Sequence, residues 1–432
     1  LTSTSPRVAG VADPLSRYTL LSFLQWLPVG LMMVPMVLLL LERGFTLTEV
    51  AAIGVVSGIT VGVLELPTGG LADVLGRRPV LVVSALAHAA ALVLLGLCTG
   101  LALLVLSAGL RGLARALSSG PLEAWYVDTA HAFHADGDGP HLTSGLARGE
   151  VAASVALGTG TLVGGGLPLA LKDLPLPFPA LAAPILLAAL VELVRVAFTA
   201  GLPDVRRPHT SVAAVARSVP ATVGSGLRLA GQSPVVLRLL LVAATSGVAL
   251  AVLELVTPAW LDRLSGDTER AAVLYAALVT VGFGADAVGA ALAPVARRRL
   301  ATPEKAAAAA TALALVAMLG LVGAAALAGL AALALALAGY ALFFVGLGAA
   351  GPPLGELLHG QVSREERATM LSVQSLVLQL AGTGGAVLAG AATSRQGAWV
   401  GFTIAAVALV AAVHMLRRWP ATSPGRRREA LA

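Results

Sequence analysis

The stretch Gly69-Gly70-Leu71-Ala72-Asp73-Val74-Leu75-Gly76-Arg77-Arg78-Pro79 decides how this chain folds. It sets glycines, an acid and two arginines in a short break between two long apolar runs, where a chain embedded in lipid would otherwise shed charge. Charge of both signs belongs there only if the segment lies at a membrane edge that uses it.

The rest of the sequence supplies that membrane. Of 432 residues, 57% are hydrophobic and only 12% charged, and the mean hydropathy is +0.87. So little polar surface cannot cover water-soluble domains. Apolar runs of about 20 residues suit helices crossing a hydrocarbon core of roughly 30 Å, and the alternation of barrel strands is absent. Twelve spans are expected, at 19–41, 50–66, 79–98, 101–119, 151–171, 179–199, 235–260, 271–295, 306–327, 330–351, 369–392 and 399–416. The ninth and tenth are divided only by Ala328 and Gly329. If they were one crossing, every later loop would change sides.

Basic residues test that count. Arg77, Arg78, Arg148, Arg206, Arg207, Arg238, Arg297, Arg298, Arg299, Arg364, Arg417 and Arg418 fall on one side, with Arg43, Lys172, Arg263, Arg270 and Arg395 on the other. This imbalance follows the positive-inside rule and places both termini in the cytoplasm. The net charge of +6 therefore reads as topology and attraction to anionic lipid, and no nucleic-acid face is expected. The lone Cys98 excludes an intrachain disulfide. The N-terminal apolar run is too long for a cleavable signal and lacks a cleavage site after it.

A polar interval at 201–234, with Pro203, Asp204, Arg206, Arg207, Pro208 and Pro220, reads as a linker between six-helix halves at 1–200 and 235–432, the latter ending in a short basic tail. The halves echo one another. Gly120-Pro121-Leu122-Glu123, Arg148 and Gly158-Thr159-Gly160 correspond to Gly351-Pro352-Pro353-Leu354-Gly355-Glu356, Arg367 and Gly382-Thr383-Gly384. Paired halves of this kind mark transporter repeats. Aligning Arg77-Arg78 on Arg298-Arg299 puts Pro294 opposite Asp73, so charge switching is expected to concentrate in the first half.

Gly69-x-Leu71-x-Asp73-x-x-Gly76-Arg77-Arg78 resembles the loop between the second and third helices of the major facilitator superfamily. Glu65-Leu66-Pro67-Thr68-Gly69 and Ser119-Gly120-Pro121-Leu122-Glu123-Ala124-Trp125 look like bacterial efflux-type members. The resemblance implies an all-α membrane protein of twelve transmembrane helices in two pseudo-symmetric halves. It also implies a gate in which Asp73 meets the N-terminus of the eleventh span in the outward-open state. Gly69 and Gly76 permit close approach and tight turning, and Ser363-Arg364-Glu365-Glu366 reads as the capping box opening that span. Local capping by Asp73 and a purely topological role for Arg77 and Arg78 are the alternative. Arg111-Gly112-Leu113-Ala114-Arg115 departs from the spacing of the antiporters' fourth-helix motif.

Charges inside spans are functional candidates, because each costs several kcal/mol unless a cavity or partner receives it. Arg111 and Arg115 share one face of the fourth span and call for anions, with Glu65, Glu254, Asp286 or the substrate as candidates. A carboxylate at Glu254, Asp286 or Glu65 would supply proton coupling. Structural hydrogen bonding or placement near a span end is the alternative for each. Glu192 and Arg195, three apart, are expected to pair with each other. His131, His134, Asp136, Asp138 and His141 fit no metal-ligand spacing, so they read as a solvated loop, with no metal expected. No Gly-Lys-Ser/Thr follows the glycine-rich fifth span, so no nucleotide loop is expected.

The expectation is a monomeric secondary transporter in a bacterial plasma membrane. It would export a small hydrophobic or amphipathic compound, drug-like or antibiotic-like, in exchange for protons, powered by the proton motive force without a cofactor. Symport of a small carboxylated metabolite bound by the arginine pair is the alternative within transport, and a transporter-like membrane sensor lies outside it. No convergent catalytic set is legible, so no enzyme is expected.

Overall fold

The computed structural model describes residues 13–133, 139–203, 233–361 and 367–419. Among them are fourteen α-helices and no strand. The first half holds α1 (Pro14–Met33), α2 (Pro35–Glu42), α3 (Leu47–Leu75), α4 (Arg77–Leu97), α5 (Leu101–Ser118), α6 (Pro121–Phe133), α7 (Gly139–Leu171) and α8 (Ala182–Ala200). The second holds α9 (Pro234–Ser265), α10 (Thr268–Leu300), α11 (Pro303–Ala324), α12 (Gly329–His359), α13 (Arg367–Gln396) and α14 (Ala398–Arg417). With α1 and α2 counted as one crossing and α5 continued into α6, twelve spans are long and apolar enough to cross a bilayer.

Breaks between helices fall where backbone chemistry forces them. Pro35 has no N–H for the helix ladder, so α1 and α2 meet at a kink at Val34. The ninth and tenth expected spans are separate helices, parted at Ala325 and restarted after Gly329 at φ +60. The charged segment is less of a break than its composition suggests. Helix α3 runs on through Gly69 and Gly70 to Leu75, and the chain turns only at Gly76, whose φ of +90 suits glycine alone.

Each half repeats one packing scheme. Helix α1 packs on α7 as α9 packs on α13, α4 on α8 as α11 on α14, and α3 on α5 as α10 on α12. Without water to drive helices together in lipid, such seams depend on small residues and close backbones. At the α1–α7 crossing a Cβ on Gly30 would stand 3.0 Å from the Gly160 Cα. At the α9–α13 crossing a Cβ on Gly382 would stand 2.8 Å from the Gly247 carbonyl oxygen. The Gly-Thr-Gly echo in the sequence thus marks equivalent crossings. Leu190, Val316, Leu388 and Val407 are exposed around the outside, where lipid can solvate them.

Among the described residues, the halves share a core at one end. Leu38, Leu47 and Val50 share a core with Val256, Trp260 and Tyr275 of the second half, and α7 meets α10 while α3 meets α13. At the end bearing Pro14, Arg77, Arg297 and Arg417, called the basic end, the cores among the described residues stay within one half. Tyr18, Leu81 and Trp125 form one, and Val236, Leu358 and Met370 another. At the opposite end Arg43 donates to the carbonyls of Leu95, Gly96 and Cys98 at 2.6, 2.5 and 2.9 Å, closing the C-terminus of α4. Burial pushes that guanidinium below its ordinary pKa, partly offset by Glu42.

Candidate functional site

Helix α5 carries Arg111 and Arg115 one turn apart, and the two side chains take different partners. Arg111 reaches α1 and α2, with Nη1 2.9 Å from the Met36 sulfur and 3.9 Å from that of Met32. Its Nε is buried without a partner. Thioethers are weak acceptors, so this guanidinium keeps hydrogen-bonding capacity for something else. Arg115 is exposed and lies over the ring of Trp26 on α1, 5.5 Å from the centroid.

The second half answers with Glu254 on α9. Its side chain has accessible surface, yet it lies among Tyr275, Tyr340 and Arg115, each of which interacts with it electrostatically. Its electrostatic neighbours come from both halves, the tyrosines from its own and Arg115 from the other. Counting inward from the opposite end at 1.5 Å per residue, Glu254 lies about 16 Å deep, Arg111 about 15 Å and Arg115 about 21 Å, so Arg115 stands about one turn nearer the basic end than Glu254. Tyr340 donates to Thr257 at 3.1 Å and Tyr275 to the Glu254 carbonyl at 3.5 Å, which fixes this wall. These tyrosines carry no charge, and their part in the site is invisible until α10 and α12 are folded against α9.

Asp286 lies elsewhere. It sits on the face of α10 turned to α12, where a Cβ on Gly348 would clash with its carbonyl oxygen. Its carboxyl group is half-buried and has no ion partner among the described residues.

At the basic end, Arg77 pairs with Asp128 of α6 at 2.8 Å, both side chains nearly covered. The motif's arginine is therefore held within its own half by an acid that the sequence reading did not single out. Arg78 is exposed. The second half has a matching tie between Arg297 and Glu356. Pro294 replaces the loop acid there, and α12 supplies an acid from its own end. Ser363 lies outside the described residues, as do the side chains of Glu65, Gly69 and Asp73, so the gate contact itself is not described.

A second polar pocket opens beside Arg115, between α1, α5 and α7, with a cavity of about 210 Å³. Tyr18, Ser22, Gln25 and Trp26 line it from one face of α1, Arg115 and Ser119 from α5, and Glu123 and Glu150 stand at its rim. Tyr18 is held by stacking on Tyr126, with centroids 4.5 Å apart, and by the ring's seat against Gly149.

Glu192 and Arg195 pair as expected, at 2.6 Å, and His88 joins them at 2.7 Å from the other carboxylate oxygen. The three sit on the α4–α8 seam with Glu192 fully buried, so their role is to hold two helices together. His88 gave no signal, since its partner lies on a distant span. Of the loop cluster read as solvated, His134, Asp136 and Asp138 lie outside the described residues, as do the side chains of His131 and His141. No group of three or more metal-ligating side chains occurs among the described residues.

No curated protein sequence matches the chain significantly. Solved structures match along nearly its whole length. The nucleoside transporter NupG aligns with a TM-score of 0.74 at 13% identity, covering 95% of this chain and 100% of that one. A bacterial homologue of the human lysosomal transporter Spinster, in an inward-facing and unoccupied conformation, gives 0.70 at 16% identity, covering 95% and 98%. A bacterial homologue of the iron transporter ferroportin, in an inward-facing state, gives 0.69 at 17% identity, covering 94% and 98%. Identities this low carry the fold alone. A family model described as Major Facilitator Superfamily matches residues 18–354. The paired six-helix halves, the charged loop at Gly76 and that match agree: this integral membrane protein belongs to the Major Facilitator Superfamily and is a secondary transporter of its type.

Proposed function

We propose that the chain is a proton-coupled exporter of a small hydrophobic or amphipathic compound in a bacterial plasma membrane. The observation that carries the reading is an intramembrane carboxyl group, Glu254 of α9, within electrostatic reach of Arg115 on α5 of the other half. A carboxyl group that can exchange its proton while an arginine of the other half lies within its reach links protonation to the relative position of the halves. Positive-inside topology favours the basic end as cytoplasmic, and with the described cores there confined to one half we read the conformation as open inward. Two of the structural neighbours are themselves described as inward-facing, which supports that assignment. Trp26, Met32 and Met36 give the same space apolar surface for a lipophilic cargo.

In this reading the cargo enters from the cytoplasm or inner leaflet, the basic end closes, the opposite end opens, and a proton on Glu254 returns with the empty carrier. The proton motive force supplies the energy, no cofactor takes part, and a monomer suffices. Little lysine beside abundant alanine, leucine, glycine and arginine fits a bacterial genome rich in G and C. The test is uptake of a lipophilic fluorescent dye into inside-out vesicles. Accumulation that follows an imposed pH gradient and collapses with an uncoupler is expected, and Glu254→Gln should remove the gradient's effect. Dye movement indifferent to both would overturn the reading.

A further inference from the structure

We propose that the pocket between α1, α5 and α7 is a seat for a small organic ammonium ion, and that Arg115 occupies this seat until the ligand displaces it. The pocket offers what an ammonium group binds and an anion avoids. The face of Trp26 attracts a cation, and in this structure the guanidinium of Arg115 lies on it, 5.5 Å from the centroid. Glu123 and Glu150 stand at the rim on two different helices, and the charges of both reach the hydroxyl of Tyr18 between them. Gln25 turns a carbonyl oxygen, Oε1, into buried space with no donor among the described residues, which an N–H would satisfy.

Arg115 has no carboxylate within ion-pair distance among the described residues, and the contact that seats it is the Trp26 ring. With the arginine moved aside, the seat presents an aromatic face and two carboxyl groups in about 210 Å³, with the unpartnered Gln25 Oε1 buried beside it, room for a small aryl-alkyl amine. A displaced Arg115 stays within electrostatic reach of Glu254 on the other half. Ligand binding would thereby strengthen an attraction between the halves. The seat stands on this pocket alone, whereas its coupling to closure rests on the exporter reading.

The experiment measures binding to purified full-length protein by calorimetry, with three probes of one shape: 2-phenylethylammonium, 2-phenylethanol and 3-phenylpropionate. Binding of the ammonium alone is expected. Glu123→Gln combined with Glu150→Gln should weaken it by about tenfold or more, and Trp26→Leu by a comparable factor. Arg115→Gln removes the resident competitor, so it should tighten ammonium binding several-fold while lowering transport. A merely structural arginine would give the opposite sign. Size-exclusion profiles check folding, and Arg115→Met serves if the glutamine variant does not fold. Preference for the propionate, no effect of the double substitution, or weaker ammonium binding without Arg115 would each overturn the seat. Ammonium binding without gradient-driven movement would support the seat and overturn the exporter reading. Gradient-driven export of the alcohol with no ammonium binding would do the reverse.

Discussion

The Arg297 guanidinium meets Glu356 through Nε and Nη2, each 3.0 Å from a carboxylate oxygen, and so ties α10 to α12 at the basic end. Arg77 and Asp128 make the corresponding tie between α4 and α6. Both bonds lie inside a half, so they stiffen the two bodies that move and leave the space between them free.

Exposure separates the two ties energetically. The Arg77 and Asp128 side chains are 13% and 11% exposed, against 33% and 52% for Arg297 and Glu356. Asp128→Ala should therefore cost about 1–3 kcal/mol, because it strips a nearly covered arginine of an anion. Glu356→Gln should shift thermal unfolding in detergent very little. Equal shifts for the two variants would refute the distinction.

The His88–Glu192–Arg195 cluster makes a sharper prediction. Both oxygens of a fully buried carboxylate are used, at 2.7 and 2.6 Å. Glu192→Ala leaves Arg195 uncompensated at bilayer depth and should cost about 3–5 kcal/mol. Replacing all three side chains by leucine or methionine of similar volume should restore much of the loss, since no charge is then buried. Thermal unfolding of the single and triple variants decides it, and a triple variant less stable than the single one would count against this account.

Asp267 caps α10 at the opposite end, accepting the Arg270 amide at 2.9 Å. That bond, helped by the Arg270 and Lys172 charges, holds its carboxyl below the ordinary aspartate pKa. A depressed pKa contributes stability that is full above the unfolded value, about 3.9, and is lost as pH falls through the folded one. The stability difference between the wild type and Asp267→Ala should thus be present at neutral pH and fade in acid. Asp267→Asn, which caps without titrating, should show no such fading. A difference unchanged into acid would show that the cap does not act through the carboxylate.

Sequence patterning revealed the spans, the halves and the glycine crossings because each depends on residues near in the chain or on a period. The Gly-Thr-Gly echo at Gly160 and Gly382 is the clearest case. What stayed hidden depends on pairing between distant helices. Arg77 gave no hint of Asp128, nor Glu192 of His88, because any of several acids or histidines could have met them. Arg111 and Arg115 were legible as intramembrane charges, but which one the other half feels turns on side-chain direction. Arg111 runs sideways to methionines of its own half, and Arg115 lies over Trp26 within electrostatic reach of Glu254.

Gly165 on α7 tests the rocking of the halves. A Cβ there would lie 2.7 Å from the Ala272 carbonyl of α10 and clash with the Ala276 methyl. The seam is at the end where the halves now touch. Gly165→Val should wedge that end apart and shift the population toward the opposite-end-open state. Spin labels can report it on cysteines placed at the two ends, after the lone Cys98 is replaced by alanine. Longer distances at the opposite end and shorter ones at the basic end are expected. Lengthening at both ends would mean loss of packing and not rocking.

Glu254 and Asp286 are both intramembrane acids, and geometry assigns them different work. Glu254 feels Arg115 from the other half. The backbone carbonyl of Asp286 is pressed on Gly348 at the seam between α10 and α12, two helices of one half, and the causes that shift its carboxyl group include no charge from the other half. A coupling acid must change its surroundings when the halves move, and only a group facing the other half does so. Glu254→Gln should therefore abolish transport driven by a pH gradient while preserving exchange of labelled for unlabelled cargo. Asp286→Asn should keep its pH dependence and lose at most a few-fold in rate. Counterflow in proteoliposomes, with and without a gradient, separates the two. A gradient-blind Asp286→Asn beside a gradient-driven Glu254→Gln would move the coupling role to the α10–α12 seam.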